Sequence, residues 1–295
     1  MRDSFFIDFF SILAKQSLLK RIIIMKTLHY LLLAGILCFT SCLKASQPSD
    51  PIPEHETFTM QSKHVNEARV ITIWLPEDYK THTDSLKVLY MPDGGIKEDF
   101  PHIANTLNDL IKAKKIAPVI LVGIENTQRR KDLTGPTTVE KDKEIAPVVG
   151  GSEQFRAFIS DELIPEINKR YRTTHQKGII GESLAGLFVT ETFLLTPNLF
   201  DFYIAFDPSL WWNDKHLVKT AKDHLDKFPD TKKTFWFAGS DAKDISANVR
   251  QLSEILKTKD SKSITWEYSD EKKEQHHTIF RATKEKAIIW TLNNL

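Results

Sequence analysis

Residues 178–189 read GIIGESLAGLFV, and the fold turns on what surrounds Ser183 in them. Residues 178–180 have the short, apolar character of a buried strand, and Leu184–Leu195 is an apolar run long enough for a helix. Between them, Gly181-Glu182-Ser183-Leu184-Ala185-Gly186 nearly spells G-x-S-x-G, with Ala185 where the second glycine belongs. A strand, a sharp turn and a helix form the context in which a serine is presented as a nucleophile. Such a turn needs small residues because neighbouring backbone packs against it, and Ala185 adds only a methyl group. Glu182 sits beside the serine, either as a structural hydrogen-bonding group or as a group that tunes the site. The competing reading is an ordinary serine in a glycine-containing loop, so the rest of the chain has to decide.

Outward from this turn, β-rich apolar runs occur at 70–75, 88–91, 119–124, 203–206, 234–238 and 264–268. Segments with helical spacing lie between several of them. The clearest is SEQFRAFISDELIPEINKRY, in which Phe155, Phe158, Ile159, Leu163 and Ile167 share one face and Ser152 stands in the capping position. Strands alternating with helices predict a mainly parallel central sheet with helices on both faces. Ligands of such sheets bind at the carboxyl ends of the strands. Here those ends carry Asp93-Gly94-Gly95, Glu125-Asn126, Glu182-Ser183, Asp207-Pro208-Ser209 and Gly239-Ser240-Asp241, with His276-His277 following the last strand.

A serine nucleophile needs a base, and the base needs a group to orient it. Chain order for an elbow of this type is Ser, then Asp or Glu, then His. His276 and His277 lie after the final strand and before the final helix, where the base belongs; His216 and His224 fall in a charged helical segment and read as solvated. FWFAGSDAKD supplies Asp241 and Asp244 just after a strand, either of which could support the imidazole. An oxyanion hole needs backbone N–H groups aimed at the developing charge. Leu184, directly after the serine, should give one, and the Asp93-Gly94-Gly95 loop the other, with Gly94 as the expected donor.

The bulk composition narrows the classes. The 295 residues are 41% hydrophobic and 27% charged, enough for one large globular domain or two small ones. A formal net charge of +1 gives no general basic field, so no nucleic-acid partner is expected. There is no HExxH pattern or cysteine ligand set, so neither a metal nor an organic cofactor is expected. The N-terminal part is different. From Met25 the chain reads MKTLHYLLLAGILCFTSC: a lysine, an apolar stretch too short to span, then small and polar residues. The expected organisation is an over-called upstream start at 1–24, a signal peptide at 25–41, a lipidated tether at 42–55 and the enzyme domain at 56–295. Phe39-Thr40-Ser41-Cys42 resembles a bacterial lipobox, with Cys42 as the acylated residue. An exported lipoprotein follows, periplasmic or outer-membrane associated, held to a membrane by its lipid anchor. Cys38, the only other cysteine, would leave with the signal.

Taken in order, VITIWLPEDY, KVLYMPDGG, VILVGIENTQRRKDLT, GGSEQFRAFISDELIPEINKRYRT, GIIGESLAGLFV, FDFYIAFDPSLWW and EQHHTIF resemble the esterase family of α/β-hydrolases that contains enterochelin esterases, esterase D and feruloyl esterases. The resemblance covers about residues 58–292. It implies an α/β-hydrolase fold and a Ser-His-Asp esterase acting on a small-molecule or glycan ester, siderophore-derived or carbohydrate-linked. Its E-x-H-x-S/T pattern maps onto Glu274, His276 and Thr278, which makes His276 the base; Asp241 is favoured as the acid, with Asp244 second. Arg129 would hold an anionic or catechol-type substrate, or else pair with Asp132. Trp211 and Trp212 would line an aromatic pocket or belong to the core. Glu182 stands where the family has a histidine, Ala185 replaces the first of its paired glycines, and Asp207 replaces a serine in S-P-S-x-W-W, a change expected to alter the substrate pocket. These departures keep two other readings open: a non-catalytic binding lipoprotein on the same fold, and an acyltransferase.

Overall fold

The computed structural model describes residues 50–295 apart from 146, 260 and 261. The segments expected to be an over-called start and a signal peptide, with Cys42, lie outside the described residues. Eight strands form one sheet: β1 (Glu56–Gln61), β2 (Ala68–Trp74), β3 (Leu86–Pro92), β4 (Val119–Ile124), β5 (Thr173–Glu182), β6 (Phe202–Phe206), β7 (Lys233–Gly239) and β8 (Ile264–Asp270). Their order is β1-β2-β4-β3-β5-β6-β7-β8. The pairs β1–β2 and β2–β4 are antiparallel, and every pair from β4 to β8 is parallel. This is the α/β-hydrolase fold.

The strand sequences explain why helices cover both faces. VILVGI in β4, FYIAF in β6 and KTFWFAG in β7 are buried along their whole length. Side chains alternate between faces. In β7, Phe235 and Phe237 join one core while Trp236 and Ala238 join the other. The Trp236 side is closed by α1 (Phe100–Lys112) and by α9 (Ile279–Asn293), through residues such as Ile103, Leu107 and Ile288. The other side takes α6 (Leu184–Leu195), α7 (Trp212–Asp226) and α8 (Lys243–Lys257). Two short helices, α2 (Arg129–Leu133) and α3 (Glu140–Ile145), follow β4.

The helix expected over 152–171 forms in three pieces: α4 (Ser152–Ala157), a π-helical turn (Phe158–Leu163) and α5 (Ile164–Arg170). Its five predicted core residues are all buried. The interruption has a local cause. Pro165 has no N–H to donate to the preceding turn, so the chain widens ahead of it, and Ile164 N–H bonds five residues back to Ile159. Ser152 is not the cap: Gly151 is, and the Ser152 hydroxyl donates to buried Glu191 at 3.1 Å.

Residues 50–55, placed by sequence in the tether, lie against the body. Asp50 pairs with Arg281 at 2.6 Å, and Asn105 donates to the Pro51 carbonyl.

Candidate active site

The elbow is built by close backbone approach. Ser183 sits between β5 and α6 with φ 60° and ψ −117°, a left-handed conformation costly for any side-chain-bearing residue. Its N–H donates to the Phe206 carbonyl at 3.0 Å, and its carbonyl accepts from Leu187 and Ser209. These bonds hold the strain in place. A Cβ on Gly181 would stand 2.7 Å from Ala185 Cβ. Gly181 therefore supplies the room that Ala185 occupies, which is why the near-match to G-x-S-x-G still makes the turn.

Three strand ends then converge. The Ser183 hydroxyl faces His276 Nε2 at 3.1 Å. The opposite ring nitrogen, Nδ1, donates to Asp207 Oδ2 at 2.7 Å. Asp207 is the first residue after β6, has φ 44° and is fully buried. A carboxylate taken out of water needs its lone pairs satisfied. Ser240, at the end of β7, meets this need with its N–H on Oδ1 at 2.8 Å and its hydroxyl on Oδ2 at 2.6 Å. His276 is held above the ordinary histidine range by its hydrogen bond to Asp207, with Glu182 adding to the effect and burial opposing it.

The carboxylate expected behind the imidazole was Asp241 or Asp244; the structure puts Asp207 there. The Asp241 side chain is exposed, and its N–H donates to the Glu274 carbonyl at 2.9 Å. Asp244 is exposed in the first turn of α8. The sequence did carry a signal for Asp207: a charge directly after five apolar residues, at the end of the strand beside the serine's own. Asp207 therefore lies behind the His276 imidazole rather than on a substrate wall.

The loop after β3 also departs from expectation. Gly94 N–H donates to the Ile124 carbonyl at 3.0 Å, and Gly95 N–H to Glu98 Oε2 at 2.7 Å. Gly94 is thus committed to the neighbouring strand end and does not face the serine as an oxyanion donor. Leu184, at the start of α6, has no carbonyl one turn before it within the helix, so its N–H remains available beside Ser183. Arg129 pairs with neither Asp132 nor open space. Its Nε and a terminal nitrogen grip the two oxygens of Asp93 at 2.6 and 2.7 Å. Asp132 pairs instead with fully buried Arg69 at 2.7 Å. Of the tryptophans, Trp212 is core, donating through Nε1 to the Gly135 carbonyl at 2.9 Å, while Trp211 is half-buried beside it.

Two further strand-end groups stand close by. Ser209 Oγ lies 3.4 Å from Ser183 Oγ. Glu182, directly before the serine, places Oε1 3.7 Å from His276 Nε2, and burial pushes its carboxyl up to about 7. Among the described residues no cluster of three or more His, Cys, Asp or Glu side chains could hold a metal ion.

Comparison with known proteins gives this geometry a family. Residues 62–290 match the family described as "Putative esterase". The chain belongs to that family. It is similar to the ferri-bacillibactin esterase BesA of Bacillus subtilis, at 29% identity over 199 residues, covering 60% of this chain and 68% of that one. It is also similar to the siderophore triacetylfusarinine C esterase of Aspergillus fumigatus, at 28% identity over 199 residues, covering 62% and 64%. Among solved structures, an IroE-like serine hydrolase from Shewanella oneidensis superposes with a TM-score of 0.72 at 24% identity, covering 82% of this chain and 81% of that one. Siderophore hydrolase EstB from Aspergillus nidulans gives 0.70 at 19%, covering 84% and 98%. At these identities the structural likeness speaks to the fold. The family and the sequence relatives make the chain an esterase related to siderophore esterases.

Proposed function

We propose that this chain hydrolyses carboxylic esters of small molecules, with Ser183 as nucleophile, His276 as general base and then acid, and Asp207 as the group that orients His276. The unbroken hydrogen-bonded line from Ser183 Oγ through both nitrogens of His276 to Asp207 carries this reading. Ser183 attacks the ester carbonyl as Nε2 takes its proton. The resulting imidazolium is stabilised by Asp207, whose buried oxygens are already fixed by Ser240. Leu184 N–H faces the developing oxyanion. Nε2 then returns the proton to the leaving alcohol, and water, activated at the same nitrogen, releases the acid from Ser183.

The curated relatives are named for siderophore esters, and an ester of that class is the proposed natural substrate. The Met25 leader and Cys42 support an exported, lipid-anchored protein. The test is hydrolysis of p-nitrophenyl butyrate and of iron-loaded and iron-free siderophore esters by purified protein. Turnover should disappear in Ser183→Ala. Equal turnover in the wild type and Ser183→Ala would remove the reading.

A further inference from the structure

Glu182 is a polar side chain at the reacting end that the Ser183–His276–Asp207 line does not use. It closes β5, and its side chain is only 18% exposed. Its ion-pair contact is with His276 Nε2 at 3.7 Å, beyond hydrogen-bond length. Partial removal from water disfavours the charged form of this carboxyl. The charged groups around it come from four elements: Asp99 ahead of α1, Arg129 on α2, Asp207 after β6 and His276 ahead of α9. Arg129 is the fixed cation of this set, and Asp93 already engages it with a two-point bond. Once Glu182 ionises, it adds a negative charge to the wall beside Nε2, opposed only in part by Arg129 and, when His276 is neutral, not by the imidazole.

In the proposed reaction, Nε2 is also the atom that protonates the leaving alcohol. The alcohol oxygen must therefore come within about 3 Å of it. Glu182 Oε1 lies 3.7 Å from the same nitrogen, so the carbons next to the alcohol oxygen pass close to the carboxyl. A positive charge two carbons from the ester oxygen falls beside Glu182, whereas a negative charge there is repelled. From this placement, and resting on the esterase reading above, we infer that Glu182 is a specificity-determining residue: it makes the alcohol side of the site a subsite for esters whose alcohol carries a cationic group close to the ester oxygen.

The test compares kcat/KM for butyrylcholine and for its uncharged isostere 3,3-dimethylbutyl butyrate between pH 6 and 9, in the wild type and in Glu182→Gln. The quaternary ammonium does not titrate, and effects on Ser183 or His276 cancel in the ratio of the two esters. The expected wild-type ratio favours the choline ester about tenfold at pH 8.5, shrinks at high salt and falls toward one below pH 7. In Glu182→Gln it stays near one throughout. A wild-type ratio that is flat with pH, or one the substitution leaves unchanged, overturns the inference. Should the variant fail to fold, the wild-type pH and salt series decides alone. A protein that reacts with a fluorophosphonate at Ser183 yet shows no choline preference, including by cleaving neither ester, contradicts the subsite and leaves the esterase reading standing. One that also fails to react contradicts the esterase reading itself.

Discussion

The loops leaving β6 and β7 each carry an aspartate near the strand end, and the fold treats the two in opposite ways. Asp207 is buried, held in a left-handed conformation, and accepts hydrogen bonds from Ser240 N–H, Ser240 Oγ and His276 Nδ1. Asp241 leaves its carboxylate in solvent and uses its backbone N–H to tie down Glu274, two residues before His276. The β7 loop therefore serves the site through a serine and a backbone group, while the neighbouring loop provides the carboxylate. Adjacent strands of a sheet lie about 4.8 Å apart, so a carboxylate one strand over can reach the same imidazole. Chain order limits which strand ends can contribute; it does not choose between neighbours.

That contrast can be broken or sharpened by substitution, beginning with His276, the proposed base between the two loops. Removing the imidazole in His276→Ala should lower kcat for ester hydrolysis by on the order of 10⁴-fold or more, measured at substrate saturation with folding checked by circular dichroism. A loss below tenfold would detach both loops from catalysis.

Ser240→Ala separates positioning from mere packing. Asp207 loses one donor and becomes a stronger acceptor, so kcat should fall by roughly tenfold and His276 should bind its proton more tightly. In the proposed mechanism the neutral imidazole is the base, so activity should be lost as pH falls through the His276 pKa. That pKa is raised, so in the wild type the acid limb should lie above the ordinary histidine value of 6.5. In Ser240→Ala it should move higher still, and Ser240→Thr, which restores a hydroxyl, should move it back. A pH–rate profile of kcat/KM checks both shifts.

Glu182 offers an effect on stability of opposite sign to its effect on specificity. Its carboxyl titrates at about 7 in the fold against an ordinary 4.5. Below 4.5 it is protonated whether folded or unfolded and contributes nothing. As pH rises toward 7, the unfolded chain gives up its proton first, and the fold loses stability. Glu182→Gln should therefore stabilise the protein by up to about 3 kcal/mol at pH 8 and by little at pH 4, as urea unfolding would show. The smallest effect belongs to the aromatic pair. Trp212→Phe removes one buried hydrogen bond to Gly135, at a cost of about 1–3 kcal/mol of stability, with His276 unaffected.

How legible all this was in the sequence depended on whether a property is local. The inner strands are buried on both faces, so they read as apolar runs, and the runs at 119–124, 203–206 and 234–238 fall on β4, β6 and β7. β1 has only every second residue half-buried, and its sequence, ETFTMQ, gives no such run. Ser183 and His276 were legible because an elbow and an E-x-H-x-T pattern are short-range. The placements of Asp207 and Gly94 were not, because they depend on neighbours across the sheet: Ser240 at the end of β7 for one, Ile124 on β4 for the other. Arg129 shows the same limit, since its partner Asp93 lies 36 positions earlier in the chain rather than three later at Asp132.

The central claim is that Asp207, and not Asp241, orients His276. It is tested most directly by the rate at which a fluorophosphonate labels Ser183 in Asp207→Asn and Asp241→Asn. The arrangement described here predicts a fall on the order of 10³–10⁴-fold in Asp207→Asn, where the amide favours the wrong imidazole tautomer, and a change within a few-fold in Asp241→Asn. The reverse pattern, or equal rates in the two variants, would contradict it.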